Sequence, residues 1–257
     1  MPAHDLALLT EAARAAGAVA MRFWRNSPQT WEKGDQGPVT EADLAVNDLL
    51  QGMLRRAQPD YGWLSEESPD GAARLECESV FIIDPIDGTR AFIAGEKHFS
   101  ISLAVARNGE VTTAAVYLPA LDRLYTASHN SPALCDGQAI QCSGAVLADV
   151  PKILTPKVNM AADFWQGPPP VIQHSFRTSL AYRLCLVGGG AHDGMLTFRD
   201  TWEWDIAAGS LIATKAGARV TDRYGQPLRF NSAKAQTEGI LAAGPMLHAE
   251  LSARLKA

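Results

Sequence analysis

Val80 to Gly95, reading VFIIDPIDGTRAFIAG, constrains this chain more than any other stretch. Val80, Phe81, Ile82 and Ile83 have the length and β-branched content of a buried strand. The run stops at Asp84-Pro85-Ile86-Asp87-Gly88-Thr89, after which Arg90, Ala91, Phe92 and Ile93 resume in a helix-like way. Strand, tight turn and helix start together present groups at the carboxyl edge of a sheet. This turn carries two carboxylates three residues apart, a proline that stiffens it and a glycine that lets backbone approach a ligand. The carboxylates can hold Mg²⁺, and N–H groups near Gly88 and Thr89 can hold phosphate. The plainer reading is a strand end with an Asp-Gly turn and a capping Asp or Thr. The six-residue string as a whole is more specific than that.

The flanking sequence alternates helical and strand patterns. Leu6, Leu9, Ala13, Ala16, Ala20 and Phe23 recur at helical spacing, predicting a helix over Asp5 to Trp24. A polar loop follows, from Asn26 to Pro38, rich in turn formers. A second helix begins near Asp43, where Thr40 and Asp43 have capping-box spacing. Gly62 to Ser68, GWLSEES, reads as a short strand entering an acidic turn. Beyond the central stretch, His98–Ala106 and Val111–Tyr117 are expected strands of a hairpin turning at Asn108-Gly109. Leu121–Ala127 adds another strand, and a further turn falls at Asp136-Gly137. Ser179–Val187 reads as a helix, and His192–Phe198 as a strand. Asp205–Ala216, small and apolar, has the texture of a buried helix that stops at Gly217. Two short strands, at 218–221 and 239–243, and a final helix over Pro245–Leu255 complete the chain. The texture changes near GAVLADVPK, so two halves are expected, 1–142 and 143–257. The order of elements predicts a layered α/β protein whose first half holds an antiparallel sheet.

Composition narrows the function classes. With 257 residues, 47% of them hydrophobic, the chain can build a substantial core. A net charge of −5 leaves no basic footprint for a nucleic acid polymer, although bound cations can still draw a small anionic substrate. No apolar run reaches membrane-spanning length, and the start lacks signal-peptide character. The four cysteines have no CxxC spacing, which points to isolated thiols and a cytoplasmic setting. The six histidines never fall in HxxH or HExxH, which argues against a zinc hydrolase.

Three acidic sites lie near expected element ends: Glu66-Glu67, Asp84 with Asp87, and Asp205. Carboxylates converging at sheet edges suit Mg²⁺, and two such ions about 3.5–4 Å apart can activate a water and stabilise a leaving oxygen. Each site also has a plain reading, a solvated turn for Glu66-Glu67 and a helix cap for Asp205.

DPIDGT, with GWLSEES before it and WEWDIAAG after it, resembles the inositol monophosphatase superfamily of Mg²⁺-dependent, lithium-sensitive phosphatases, in the right motif order over nearly the whole chain. The resemblance implies an αβαβα sandwich, a homodimer, and attack by a metal-bound water with no phosphoenzyme. By similarity, Glu66, Asp84, Asp87 and Asp205 are side-chain metal ligands, and Ile86 contributes its carbonyl, to two or three Mg²⁺ that Mn²⁺ can replace. Thr89 and Asp43 match the pair near the attacking water, which Glu66 also orients. Gly88 and Thr89 present N–H groups to phosphate. One departure is Ser65, where relatives commonly have glycine.

The KGDQGPVTEAD spacing from Lys33 to Asp43, the Glu203-Trp204-Asp205 triplet and the Ser179–Gly190 segment resemble the CysQ-type 3′(2′),5′-bisphosphate nucleotidase branch. That branch implies removal of the 3′-phosphate of 3′-phosphoadenosine 5′-phosphate, with Arg90 as a candidate phosphate contact or a plain surface residue. Inositol-1-phosphate and histidinol phosphate stay open as substrates. A haloacid-dehalogenase-type phosphatase would need DxD where this chain has DxxD. A non-catalytic interaction protein on the same fold is the remaining alternative.

Overall fold

The computed structural model describes residues 2–34 and 37–256. The first helix, α1 (Pro2–Phe23), leads to a short hairpin of β1 (Thr30–Glu32) and β2 (Pro38–Thr40), then to α2 (Glu41–Ala57). Next come β3 (Gly62–Ser65), β4 (Ser79–Asp87) and a single-turn α3 (Thr89–Ile93). A meander follows: β5 (Ser100–Arg107), β6 (Glu110–Leu118), β7 (Arg123–Ser128), β8 (Ser131–Cys135) and β9 (Gln138–Ala139). The remainder comprises β10 (Lys152–Leu154), β11 (Gln173–Ser175), α4 (Leu180–Gly188), β12 (Gly194–Thr197), β13 (Thr201–Trp202) and α5 (Glu203–Lys215). It closes with β14 (Arg219–Thr221), β15 (Gln236–Thr237), β16 (Ile240–Ala243) and α6 (Pro245–Ser252).

Strands β3 to β9 form a seven-stranded sheet in sequence order, antiparallel except for the parallel pair β3/β4. Its central strands alternate strictly. Phe81, Ile83, Ile101, Leu103 and Val105 face α1 and α2, whereas Val80, Ile82, Ala104 and Ala106 face the opposite side. That period of two places apolar side chains on both faces, so the sheet must be covered twice. Helices α1 and α2 cover one face, and α4 and α5 cover the other. Behind α4 and α5 lies a five-stranded sheet ordered β11-β10-β12-β16-β14, and α6 packs on its far side through Leu247 and Leu251. The layers run αβαβα, as the resemblance implied. Among the described residues, no helix is long and apolar enough to cross a membrane.

The structure departs from the sequence expectations in three places that matter. Strand β4 does not stop at Ile83 but runs through Asp87, with a shift of register against β5 between Asp84 (opposite Ser102) and Asp87 (opposite Ser100). Three steps on one strand match two on the other, a bulge of the kind that accommodates Pro85 without a missing ladder bond. The helix after it is only five residues long. The polar loop from Asn26 to Pro38 contains strand β1, paired with β2; its residues 35 and 36 lie outside the described residues.

Candidate active site

The bulge in β4 re-aims its side chains at one end of the sheet. Asp84 is buried, and its Oδ1 accepts from the Ile86 N–H at 3.0 Å, which holds the carboxylate on the inner side of the turn. Glu66 follows the end of β3, and its N–H donates to the Ile83 carbonyl. Asp205 arrives from the second half, in the first turn of α5, whose start is tied to β5 by Ser102 donating to the Trp204 carbonyl at 3.2 Å. Asp205 does not cap its helix: Trp202 occupies the cap position. One carboxylate oxygen from each of Glu66, Asp84 and Asp205 lies within 4.8 Å of the others.

Three buried or half-buried carboxylates this close repel one another, and burial adds to the cost of their charges. Burial, then Glu66, Asp87 and Asp205, push the Asp84 carboxyl well above the usual range. Burial, then Asp87 and Glu66, do the same to Asp205. Burial raises Glu66 to about 7, against the opposing pull of Lys33. The grouping therefore fits a cation, and an all-oxygen donor set fits Mg²⁺ better than zinc.

Asp87 lines the same cleft with a different set of partners. Its carboxylate accepts from Ser179 Oγ at 2.6 Å and from the N–H groups of Ala181 at 2.7 Å and Leu180 at 3.1 Å. The amino terminus of α4 thus receives an anion from the first half. Burial nevertheless raises Asp87 to about 6, with these three donors pulling the other way. Gly88, at φ +98, caps α3; that conformation favours glycine, and a Cβ there would crowd the Ser179 nitrogen at 3.3 Å.

Asp43 serves two readings at once. Its Oδ2 accepts from the Thr40 N–H at 2.8 Å and the Thr40 hydroxyl at 2.5 Å, completing the capping box of α2. Its Oδ1 lies 3.3 Å from Thr89 Oγ1, which also reaches the Ile86 carbonyl at 3.1 Å. Burial raises Asp43 to about 6 while Thr40 opposes it. Ile86 turns its carbonyl to Thr89 and buries its side chain completely. Arg90 is exposed on the rim of the cleft.

The cleft, about 480 Å³, is walled by both halves. Several of its features escaped the sequence reading. From the β1–β2 hairpin, Lys33 Nζ reaches Glu67 Oε1 at 2.7 Å and Glu66 Oε1 at 3.2 Å. Arg183, Arg199, Phe176 and Trp202 line the wall contributed by the second half. Arg183 is buried, donates from Nε to the Arg177 carbonyl at 2.5 Å, and lies 4.3 Å over the Phe176 ring. A single charge inside the apolar helix LAYRLCLV was the available signal for it, because an arginine is seldom buried without a purpose. Nothing in local pattern distinguishes Arg199 or Phe176. Glu203, by contrast, accepts from the N–H groups of Asn231 and Ser232 and ties down that loop.

The chain matches the model of the inositol monophosphatase family over residues 2–257. It is 30% identical over 230 residues to the 3′(2′),5′-bisphosphate nucleotidase CysQ of Shigella flexneri, covering 85% of this chain and 90% of that protein. It is 32% identical to the 3′-phosphoadenosine 5′-phosphate phosphatase of Mycobacterium leprae, covering 88% and 84%, and 34% identical to the inositol-1-monophosphatase of Rhizobium meliloti, covering 82% of each. Among solved structures, the extragenic suppressor protein suhB of Bartonella henselae superposes with a TM-score of 0.83 at 25% identity, covering 97% of each chain.

Proposed function

The chain belongs to the inositol monophosphatase family, and from that premise we propose that it is a Mg²⁺-dependent phosphatase removing the 3′-phosphate of 3′-phosphoadenosine 5′-phosphate. The observation that carries the reading is the convergence of Glu66, Asp84 and Asp205 in one cleft that Arg183 and Arg199 also line. Asp87 and the Ile86 carbonyl would join them in holding two or three Mg²⁺ or Mn²⁺. Bound there, the ions would neutralise the phosphate oxygens and acidify the attacking water.

The chain's own residues do the rest. Thr89 donates its one hydroxyl hydrogen to Asp43 Oδ1, which leaves the Ile86 carbonyl free and turns a lone pair to the cleft to accept from the attacking water. Glu66 accepts a second hydrogen bond from that water and fixes its line of approach. Gly88 and Thr89 direct N–H groups at the scissile phosphate, and Arg90 meets it from the rim. Arg183 and Arg199 supply two further cations to the cleft, which suits a substrate carrying a second phosphate. Inositol-1-phosphate has no second phosphate group, though the R. meliloti relative keeps that substrate in view. The resemblance further supports a homodimer and the free cysteines a cytoplasmic setting, with each subunit divided into halves 1–142 and 143–257.

Phosphate release with Mg²⁺, compared by kcat/KM for 3′-phosphoadenosine 5′-phosphate, inositol-1-phosphate and histidinol phosphate, tests the reading. Strong preference for the nucleotide is the expected result. Preference for either other substrate keeps the chemistry and overturns the substrate. No release from any of them favours an interaction protein on this fold.

A further inference from the structure

Two aromatic residues on the wall from the second half, Phe176 and Trp202, have no part in the chemistry of the carboxylates. Trp202 ends β13 and immediately precedes α5, three residues before Asp205. Its indole stacks on Trp204, with centroids 4.6 Å apart and planes 8° from parallel. Trp204 is buried, so it forms a fixed backing that covers one face of Trp202. Trp202 is itself half-buried and still contributes surface to the cleft. Phe176, 45% exposed, is backed in the same way by the Arg183 guanidinium.

Rings braced from behind and left open toward a binding cleft gain most when a flat apolar partner covers their free surface. A polyol can lay only the small C–H face of its ring on them, and its hydroxyls still need hydrogen-bonding groups. A nucleobase is such a flat partner, and the arginines beside these rings suit the anionic groups that a nucleotide carries. Resting on the phosphatase reading above, we infer that Trp202 is the stacking platform for the substrate's base, so that this chain selects nucleotides over base-free phosphates. Phe176 forms a second apolar wall of the same subsite. Trp204 acts through Trp202, holding its plane.

The experiment compares kcat/KM for 3′-phosphoadenosine 5′-phosphate and for a base-free methyl riboside 3,5-bisphosphate, in the wild type, Trp202→Ala and Trp202→Phe. The wild type should favour the nucleotide. Trp202→Ala should lower the nucleotide-to-riboside ratio by about 10- to 100-fold, the range of a single base–aromatic stack, and Trp202→Phe should restore most of it. Calorimetric binding of AMP should weaken in parallel. An unchanged ratio in Trp202→Ala would overturn the platform, as would equal turnover of both substrates by the wild type, which needs no variant to fold. Riboside hydrolysis without nucleotide preference leaves the phosphatase reading standing. Hydrolysis of neither substrate overturns that reading and the platform together.

Discussion

Asp84 sits in surroundings hostile to its charge: it is buried, faces two other carboxylates, and receives one backbone N–H. Replacing it tests whether those surroundings are built for a cation. In metal-free buffer Asp84→Asn should be more stable than the wild type, because one member of a repelling buried group is gone. With Mg²⁺ the order should reverse. The wild type should gain thermal stability as the ion binds the folded state alone, and the variant should gain little. Turnover should fall by more than the ~10–100-fold typical of losing an outer-shell partner. Melting curves with and without Mg²⁺, alongside phosphate release, check all three statements. A variant stabilised by Mg²⁺ as much as the wild type would sink the metal assignment.

At the scale of elements, the same substitution should act with opposite sign on two helices. Gly52 lies in α2, where a Cβ would meet nothing within 4 Å. Gly52→Ala should stabilise by about 0.5–1 kcal/mol, the difference in helix propensity. Gly209 lies in α5 where it crosses α4, and a Cβ there would sit 2.7 Å from Leu184 Cβ and 3.1 Å from the Ala181 carbonyl oxygen. These neighbours cannot swing aside as the end of a long side chain would. The overpacking penalty, about 1–3 kcal/mol, exceeds the propensity gain, so Gly209→Ala should destabilise. Since α4 holds Asp87 and α5 holds Asp205, that variant should also lose activity, whereas Gly52→Ala should keep it. Urea midpoints and kcat separate the two cases.

Across the whole molecule, three cores meet at two sheets, and two buried histidines lie in the second half of the chain. His248 places Nε2 2.9 Å from Thr221 Oγ1, and His192 places Nε2 3.1 Å from Ser175 Oγ; the Nδ1 atom of each is buried without a partner among the described residues. Burial, then neighbouring cations, depress both to about 4. The unfolded chain, with histidines near 6.5, binds more protons than the folded one between those values. Their contribution is therefore complete above about pH 6.5 and is lost as pH falls toward 4, by about 1.4 kcal/mol for each pKa unit at most. The site carboxylates run the opposite way in metal-free buffer, so the measurement belongs at saturating Mg²⁺. The stability difference between the wild type and His248→Gln should narrow steadily from pH 7 to pH 4.5; a constant difference would remove His248 from the explanation.

Much of this protein is written in local pattern. Strand alternation around Phe81 and Leu103, the capping spacing of Thr40 and Asp43, and the Asn-Gly and Asp-Gly turns are effects between near neighbours, so sequence alone determined the layered fold and the acidic motifs. The extent of β4 was not legible, because a bulge is set by pairing with β5 and not by the bulged residues themselves. Nor was the pairing of β1 with β2, which brings Lys33 to Glu66 and Glu67. The tie between Asp87 and the start of α4 joins residues more than ninety positions apart. Arg183, Phe176 and Trp202 become one wall only when α4, the segment after β11 and β13 converge. Tertiary structure alone decided which charges and rings share the cleft, since packing between distant segments has no period that a sequence can display.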